Sequence, residues 1–143
     1  MSDDDYMQMA YAEAQAAYDE DEIPVGAVVV CDGRVIASAH NQTERLGDTT
    51  AHAEMLALTA AEDELGSKYL DECTLYVTLE PCIMCAGAIG WAQVRRLVYG
   101  ADDEKRGYSR FSPSPLHPKT EVTTGLMKEE CEQMMKRFFK EKR

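Results

Sequence analysis

Two short segments constrain this chain more than any other feature: Ala51-His52-Ala53-Glu54 and Pro81-Cys82-Ile83-Met84-Cys85. One imidazole and two thiols at C-x-x-C spacing make a three-donor zinc set. A fold that uses it must bring the segments together, although 27 residues separate Glu54 from Cys82. Zinc accepts two thiolates and one neutral imidazole and keeps a fourth position for water. The thiolates neutralise the divalent ion formally. A closed structural site needs a fourth protein ligand, and Cys31, Cys73 and Cys131 lack ligand-like spacing to the pair. Glu54 is a carboxylate that the ligand set does not require. Beside an acidified water it is placed to take a proton and deliver it to a substrate nitrogen. A C-x-x-C alone fits a buried or redox-active pair equally well, and a single histidine is more often structural. The joined pattern is what points to hydrolysis. On an ideal helix Glu54 lies about 200° around from His52, so the geometry at the helix end has to unite them.

Periodicity predicts the elements that carry these segments. Met7 to Glu20 reads as a first helix, ending before Pro24. Val25–Cys31 is a buried-type strand, and Asp32-Gly33 turns it into a second strand, Arg34–His40, to form a hairpin. Asn41–Thr50 reads as a polar loop and Ala51 to about Leu65 as a largely buried helix. Thr74–Leu79 is strand-like, and Pro81 opens a helix to about Trp91. Cys82 and Cys85 then share the first turn of that helix, whose unpaired N–H groups lower thiolate pKa values. Arg95–Gly100 is a fourth strand, and Thr120–Thr124 is a short fifth. Asp102–Lys119, with three of the five prolines, is a long aperiodic loop of the kind that carries function. Leu126–Lys142 reads as an amphipathic helix with Leu126, Glu130, Met134 and Phe138 along one line. This order predicts a layered α/β domain.

At 143 residues the chain fits one domain. It has no apolar run long enough to span a membrane, and its acidic start, Ser2-Asp3-Asp4-Asp5, is unlike a signal peptide. An odd count of five cysteines suits a reducing, cytoplasmic setting better than a disulfide framework. The net charge of −11 argues against a protein that coats nucleic acid. It is unevenly spread: residues 1–94 hold 3 basic and 18 acidic side chains, residues 95–143 hold 12 basic and 8 acidic. Such an imbalance serves either solubility or a local cationic rim for an anionic substrate.

Further stretches add to the metal motifs: Glu22-Ile23-Pro24-Val25-Gly26-Ala27-Val28, His40-Asn41, and Tyr76-Val77-Thr78-Leu79-Glu80-Pro81-Cys82-Ile83-Met84-Cys85-Ala86-Gly87-Ala88-Ile89. With the tail from Glu129 to Phe139, they resemble the cytidine deaminase-like superfamily along nearly the whole chain. The closest likeness is to the bacterial branch that edits the wobble adenosine of tRNA to inosine. The resemblance implies a three-layer α/β/α fold around a central five-stranded mixed sheet, with residues 1–143 as a single deaminase domain. It implies one zinc ion per subunit on His52, Cys82 and Cys85, with Glu54 as proton shuttle, as in zinc deaminases generally. Asn41 would hydrogen-bond the nucleoside and the Ala51 backbone would read the base edge. Pro24, Val25 and the backbone of Leu79 and Glu80 would line the pocket, Asp103 and Lys105 would lie in the substrate-side loop, and Phe139 would meet the anticodon loop.

The implied partners are a second copy of the chain and a tRNA anticodon stem-loop. Ile83, Ile89 and Trp91, on the cysteine-bearing helix, suit either the dimer contact or the core. Lys119, Lys136, Arg137, Lys140, Lys142 and Arg143 would meet phosphates, and Tyr108 or Phe111 would either stack on a splayed base or pack the loop down. The chain departs from the branch at three places: Asp21 and Asp102 stand where arginine is usual, Thr49 replaces a proline, and Arg106–Pro118 replaces a small-residue stretch. Ala88-Ile89-Gly90-Trp91-Ala92 is closer to guanine deaminases. A deaminase of a free base or nucleoside, of the guanine or cytosine type, is therefore the alternative expectation.

Overall fold

The structure is a computed structural model that describes residues 1–142. Its elements are α1 (Asp3–Asp19), β1 (Gly26–Cys31), β2 (Arg34–His40), α2 (Thr43–Leu46), α3 (Ala53–Leu65), β3 (Cys73–Leu79), α4 (Ile83–Ala92), β4 (Arg96–Ala101), β5 (Glu121–Thr124) and α5 (Lys128–Glu141). A 3₁₀ turn, Tyr108–Arg110, interrupts the long loop before β5. The five strands form one mixed sheet in the order β2-β1-β3-β4-β5. β1 runs antiparallel to β2 and β3, while β3, β4 and β5 run parallel.

Alternation along β1 explains the layers. Ala27 and Val29 face the α3 and α4 side, where they join Ala53, Ala57, Leu58, Ala86 and Ile89 in the main core. Val28 and Val30 point the other way, against Tyr6, Met7 and Ala10 of α1. Both faces of this interior strand are covered, so it reads as an unbroken apolar run. α5 lies on the α1 side, with Met134 and Phe138 against Ala14 and Tyr18. The chain is therefore the three-layer α/β/α arrangement expected. Gly26 lets α1 sit directly on the sheet, because a Cβ there would fall 2.0 Å from the Ala10 carbonyl oxygen. The hairpin turn is also as expected, with Asp32 at φ 53° and Gly33 at φ 69°, the left-handed pair of a tight two-residue turn.

Several expected boundaries move for local reasons. α1 begins at Asp3 rather than Met7 because Ser2 and Asp5 form a capping box that satisfies the first amides. The Asn41–Thr50 segment is not all loop. The buried Glu22 carboxylate accepts from the backbone N–H of Glu44 at 3.1 Å and of Arg45 at 2.8 Å, and so caps the single turn of α2. Ala51 and His52 precede α3, and Pro81 and Cys82 precede α4. α5 begins at Lys128, after Met127 at φ 55°. Its buried line is Cys131, Met134 and Phe138; Glu130 is exposed and Leu126 lies before the helix. No helix among the described residues is long and apolar enough to cross a membrane.

Candidate metal centre

Parallel strand β3 ends at Leu79, and α3 and α4 both begin at this end of the sheet, where open α/β folds bind their ligands. His52 is the N-cap residue of α3 (φ −74°, ψ 152°) and Cys82 that of α4 (φ −72°, ψ 173°). Neither side chain caps its own helix, so both are turned to another purpose. Cys85, on the first turn of α4, is fully buried. His52 Nδ1 lies 3.6 Å from Cys82 Sγ and 3.5 Å from Cys85 Sγ. Tetrahedral zinc with bonds of about 2.3 Å to sulfur and about 2.0–2.1 Å to nitrogen puts N and S about 3.6 Å apart. The three donor atoms are therefore spaced to fit that ion, and they form the one such cluster found among the described residues.

The missing cap of α3 comes from outside the helix. Asn41 Oδ1, buried at the end of β2, accepts the Ala53 N–H at 2.9 Å. The Gln42 N–H donates to the Ala51 carbonyl at 3.0 Å, and the Asn41 N–H to the Val25 carbonyl at 3.1 Å. His52 is extended, so an angular offset computed for an ideal helix does not apply to it. Glu54, one residue into α3, turns inward and is only 4% exposed. Burial lifts its carboxyl to about 7; a backbone hydrogen bond opposes this and the Cys82 thiolate adds to it. The neighbouring Cys85 thiol and His52 draw the Cys82 thiol down to about 4, against burial. The same neighbour effect, with burial, drives the Cys85 thiol upward.

The comparisons agree with this chemistry. Residues 1–143 match the MafB19-like deaminase family. A tRNA-specific adenosine deaminase of Agrobacterium fabrum is 46% identical over 143 residues, covering 96% of this chain and 94% of the relative. The chain belongs to the tRNA-specific adenosine deaminase family. A solved structure described in a study of A-to-I editing by tRNA:A34 deaminases is 44% identical. It superposes at a TM-score of 0.86, over 91% of this chain and 98% of that one. The guanine deaminase of Nitrosomonas europaea is more distant, at 26% identity and a TM-score of 0.82 over 96% of this chain and 84% of that one.

In this family member another buried glutamate, Glu80, builds the rim. The expectation for Glu80 concerns its backbone; its side chain is an anchor. Oε1 accepts from the Asp103 N–H at 2.9 Å. Oε2 accepts from the Ser109 N–H at 3.0 Å and the Ser109 hydroxyl at 2.6 Å. Gly107 passes so close that a Cβ on it would lie 2.3 Å from the carboxylate carbon. Gly107 bridges to Cys82, and the Tyr108 N–H donates to the Pro81 carbonyl at 2.9 Å. The long loop is thus tied to the backbone that carries the metal ligands.

The other suggested residues lie in several places. Pro24 and Val25 are buried, and Leu79 is half-buried just before Glu80. Asp103 Oδ1 is used within the loop, accepting from the Lys105 and Arg106 N–H groups at 3.0 Å each. Lys105 is exposed. Tyr108 packs down, buried and edge-on to Tyr99, while Phe111 is exposed. Phe139 stands apart on α5, its ring edge-on to Phe138. Ile89 is core, whereas Ile83 is half exposed and Trp91 is 86% exposed. The unusual aspartates have cationic partners on or just beyond α5: Asp21 pairs with Lys142 at 2.7 Å and Asp102 with Lys128 at 3.3 Å. Sequence reasoning missed Glu22 and the anchoring role of Glu80, since an isolated glutamate carries no spacing signal.

Proposed function

We propose that this chain hydrolyses the exocyclic amine of adenosine at wobble position 34 of tRNA, releasing ammonia and leaving inosine. His52, Cys82 and Cys85 hold one zinc ion per subunit, residues 1–143 form one catalytic domain, and the enzyme works in the cytoplasm as a homodimer. The observation that carries the reading is the tetrahedral spacing of an incomplete ligand set with the buried Glu54 carboxyl beside it. Bound there, zinc supplies a water acidic enough to ionise near neutral pH. Glu54, lifted toward 7 by burial, would take one proton of the attacking water at a carboxylate oxygen and hand it to the ring nitrogen, and would then carry the second, from the hydroxyl left on the ring carbon, to the departing amine.

Asn41 keeps its amide NH₂ for the nucleoside, because its Oδ1 already serves Ala53. The Ala51 carbonyl accepts from Gln42 and retains a second lone pair for the base edge. Pro24, Val25 and Leu79 supply apolar walls. Lys105 and Phe139 contact RNA, with Lys136, Arg137 and Lys140 gathered on one side of α5 as a phosphate-binding surface. Asp103 serves chiefly by shaping the loop that presents Lys105. The names and coverage of the relatives support tRNA over a free base.

The test is deamination by zinc-loaded protein of an anticodon stem-loop bearing adenosine at position 34, run beside free guanine, cytosine and adenosine. Inosine at that position with equimolar ammonia is expected. Release from guanine or cytosine alone would replace the reading with that of a free-base enzyme.

A further inference from the structure

Cys31 ends β1 and Cys73 opens β3, and the two are direct register partners across the antiparallel pair. The Asp32-Gly33 turn closes on Cys31 and Arg34, so the backbone groups of Cys31 face β2. Cys73 likewise spends its own elsewhere, its N–H on the Leu70 carbonyl at 3.0 Å and its carbonyl on the Arg95 N–H at 3.1 Å. Cys31 and Cys73 are therefore a non-hydrogen-bonded pair, the kind whose Cα atoms approach to about 4.5 Å. That separation lies inside the range of about 4.4–6.8 Å that a disulfide spans. Both side chains lie on the α3 and α4 face of the sheet. Cys73 is fully buried, whereas Cys31 is half-buried and reachable from solvent.

We propose that Cys31 and Cys73 form a redox site, a dithiol that a low-molecular-weight disulfide converts to a cross-strand disulfide. Cys31 is the member reachable from solvent and Cys73 is buried, so Cys31 reacts first; burial, with the neighbouring Cys31, also pushes the Cys73 thiol up to about 12. Its thiolate attacks one sulfur of glutathione disulfide, forming a mixed disulfide and expelling one reduced glutathione. Cys73 then gives up its proton and attacks the Cys31 sulfur, expelling the second. Two protein thiols are oxidised and one glutathione disulfide is reduced to two thiols.

The closed ring contains Asn41, His52 and Glu54, yet the bond lies at the far end of β1 and β3 from them. With strands rising about 3.3 Å per residue, the six residues of β1 put it a full strand length from the metal ligands. Oxidation therefore staples the segment that bears half the site and leaves the chemistry untouched.

The experiment treats zinc-loaded protein with glutathione disulfide, alkylates the remaining thiols in denaturant and maps the peptides without reduction. The expected result is a linked Cys31–Cys73 peptide pair lighter by two hydrogens and a thermal midpoint raised by about 5 °C. Deaminase turnover should be unchanged and both effects reversed by dithiothreitol. Cys31→Ser should show neither the linked pair nor the rise. A lasting Cys31–glutathione adduct with Cys73 freely alkylated would overturn the proposal. So would two intact thiols after treatment, or an equal rise in Cys31→Ser.

Discussion

The floor and the rim of the site are built by opposite means. The floor is two helix starts whose N-cap residues, His52 and Cys82, have been released from capping and turned toward a metal. Asn41 restores the hydrogen bond that this costs α3. The rim is the aperiodic 102–119 stretch, and one buried carboxylate, Glu80, holds it through three hydrogen bonds. Among the described residues, two of the three buried glutamates, Glu54 and Glu80, make the contrast concrete. Glu54 is buried with its carboxyl raised to about 7, which suits proton transfer, whereas Glu80 is saturated with donors, which suits position. On the proposed function, the floor would set the reaction and the rim what reaches it.

Removing a ligand should break the floor outright. Cys85→Ala should lose zinc and lower turnover by about a thousandfold or more, since the acidified water goes with the ion. Metal analysis and ammonia release check this, and retained zinc with normal turnover would remove Cys85 from the ligand set. Loosening the rim should be milder and of a different kind. In Glu80→Gln a carboxylate oxygen facing N–H donors becomes an NH₂ group, so the Asp103 and Ser109 anchors weaken. Zinc content should hold, while kcat/KM on the stem-loop falls by about tenfold to a hundredfold, chiefly through KM. An equal loss confined to kcat would place Glu80 with the floor.

The smallest effect concerns the edge that supports Asn41. His40 bonds to Glu13 at 2.7 Å and to Glu20 at 3.2 Å. Burial lowers its pKa, but the two carboxylates outweigh burial and leave it raised above 6.5. A raised folded pKa means the stabilisation is fully present below the unfolded value and fades as pH rises through the folded one. The gap in thermal midpoint between wild type and His40→Gln should therefore narrow from pH 6 to pH 9. A gap constant across that range would show that the charge of His40 contributes nothing.

The floor was largely legible in the sequence because metal ligation leaves a spacing pattern, and His52, Cys82, Cys85 and Glu54 all lie within it. What spacing could not give was the extended backbone at His52 that swings Glu54 inward. The strands were legible from β-branched runs, with boundaries shifted by at most a residue or two. The rim was opaque for a physical reason: Glu22 and Glu80 look like solvated charges until the loops they serve are folded over them. The stripe on α5 was misread because Glu130 completed an i+4 line that the fold replaces with Cys131, Met134 and Phe138. Asp21 and Asp102, read alone, looked like lost cationic contacts. In the fold each sits beside a lysine, although exposed pairs of this kind add little stability.

The central claim is that a three-ligand zinc centre and Glu54 divide the work, one holding the water and the other moving its proton. Zinc-loaded Glu54→Gln, assayed for inosine at position 34 of an anticodon stem-loop, tests it most directly. Full zinc occupancy, unchanged stem-loop affinity and turnover lower by at least about a hundredfold are expected. Turnover within twofold of the wild type, at equal zinc content, would contradict it.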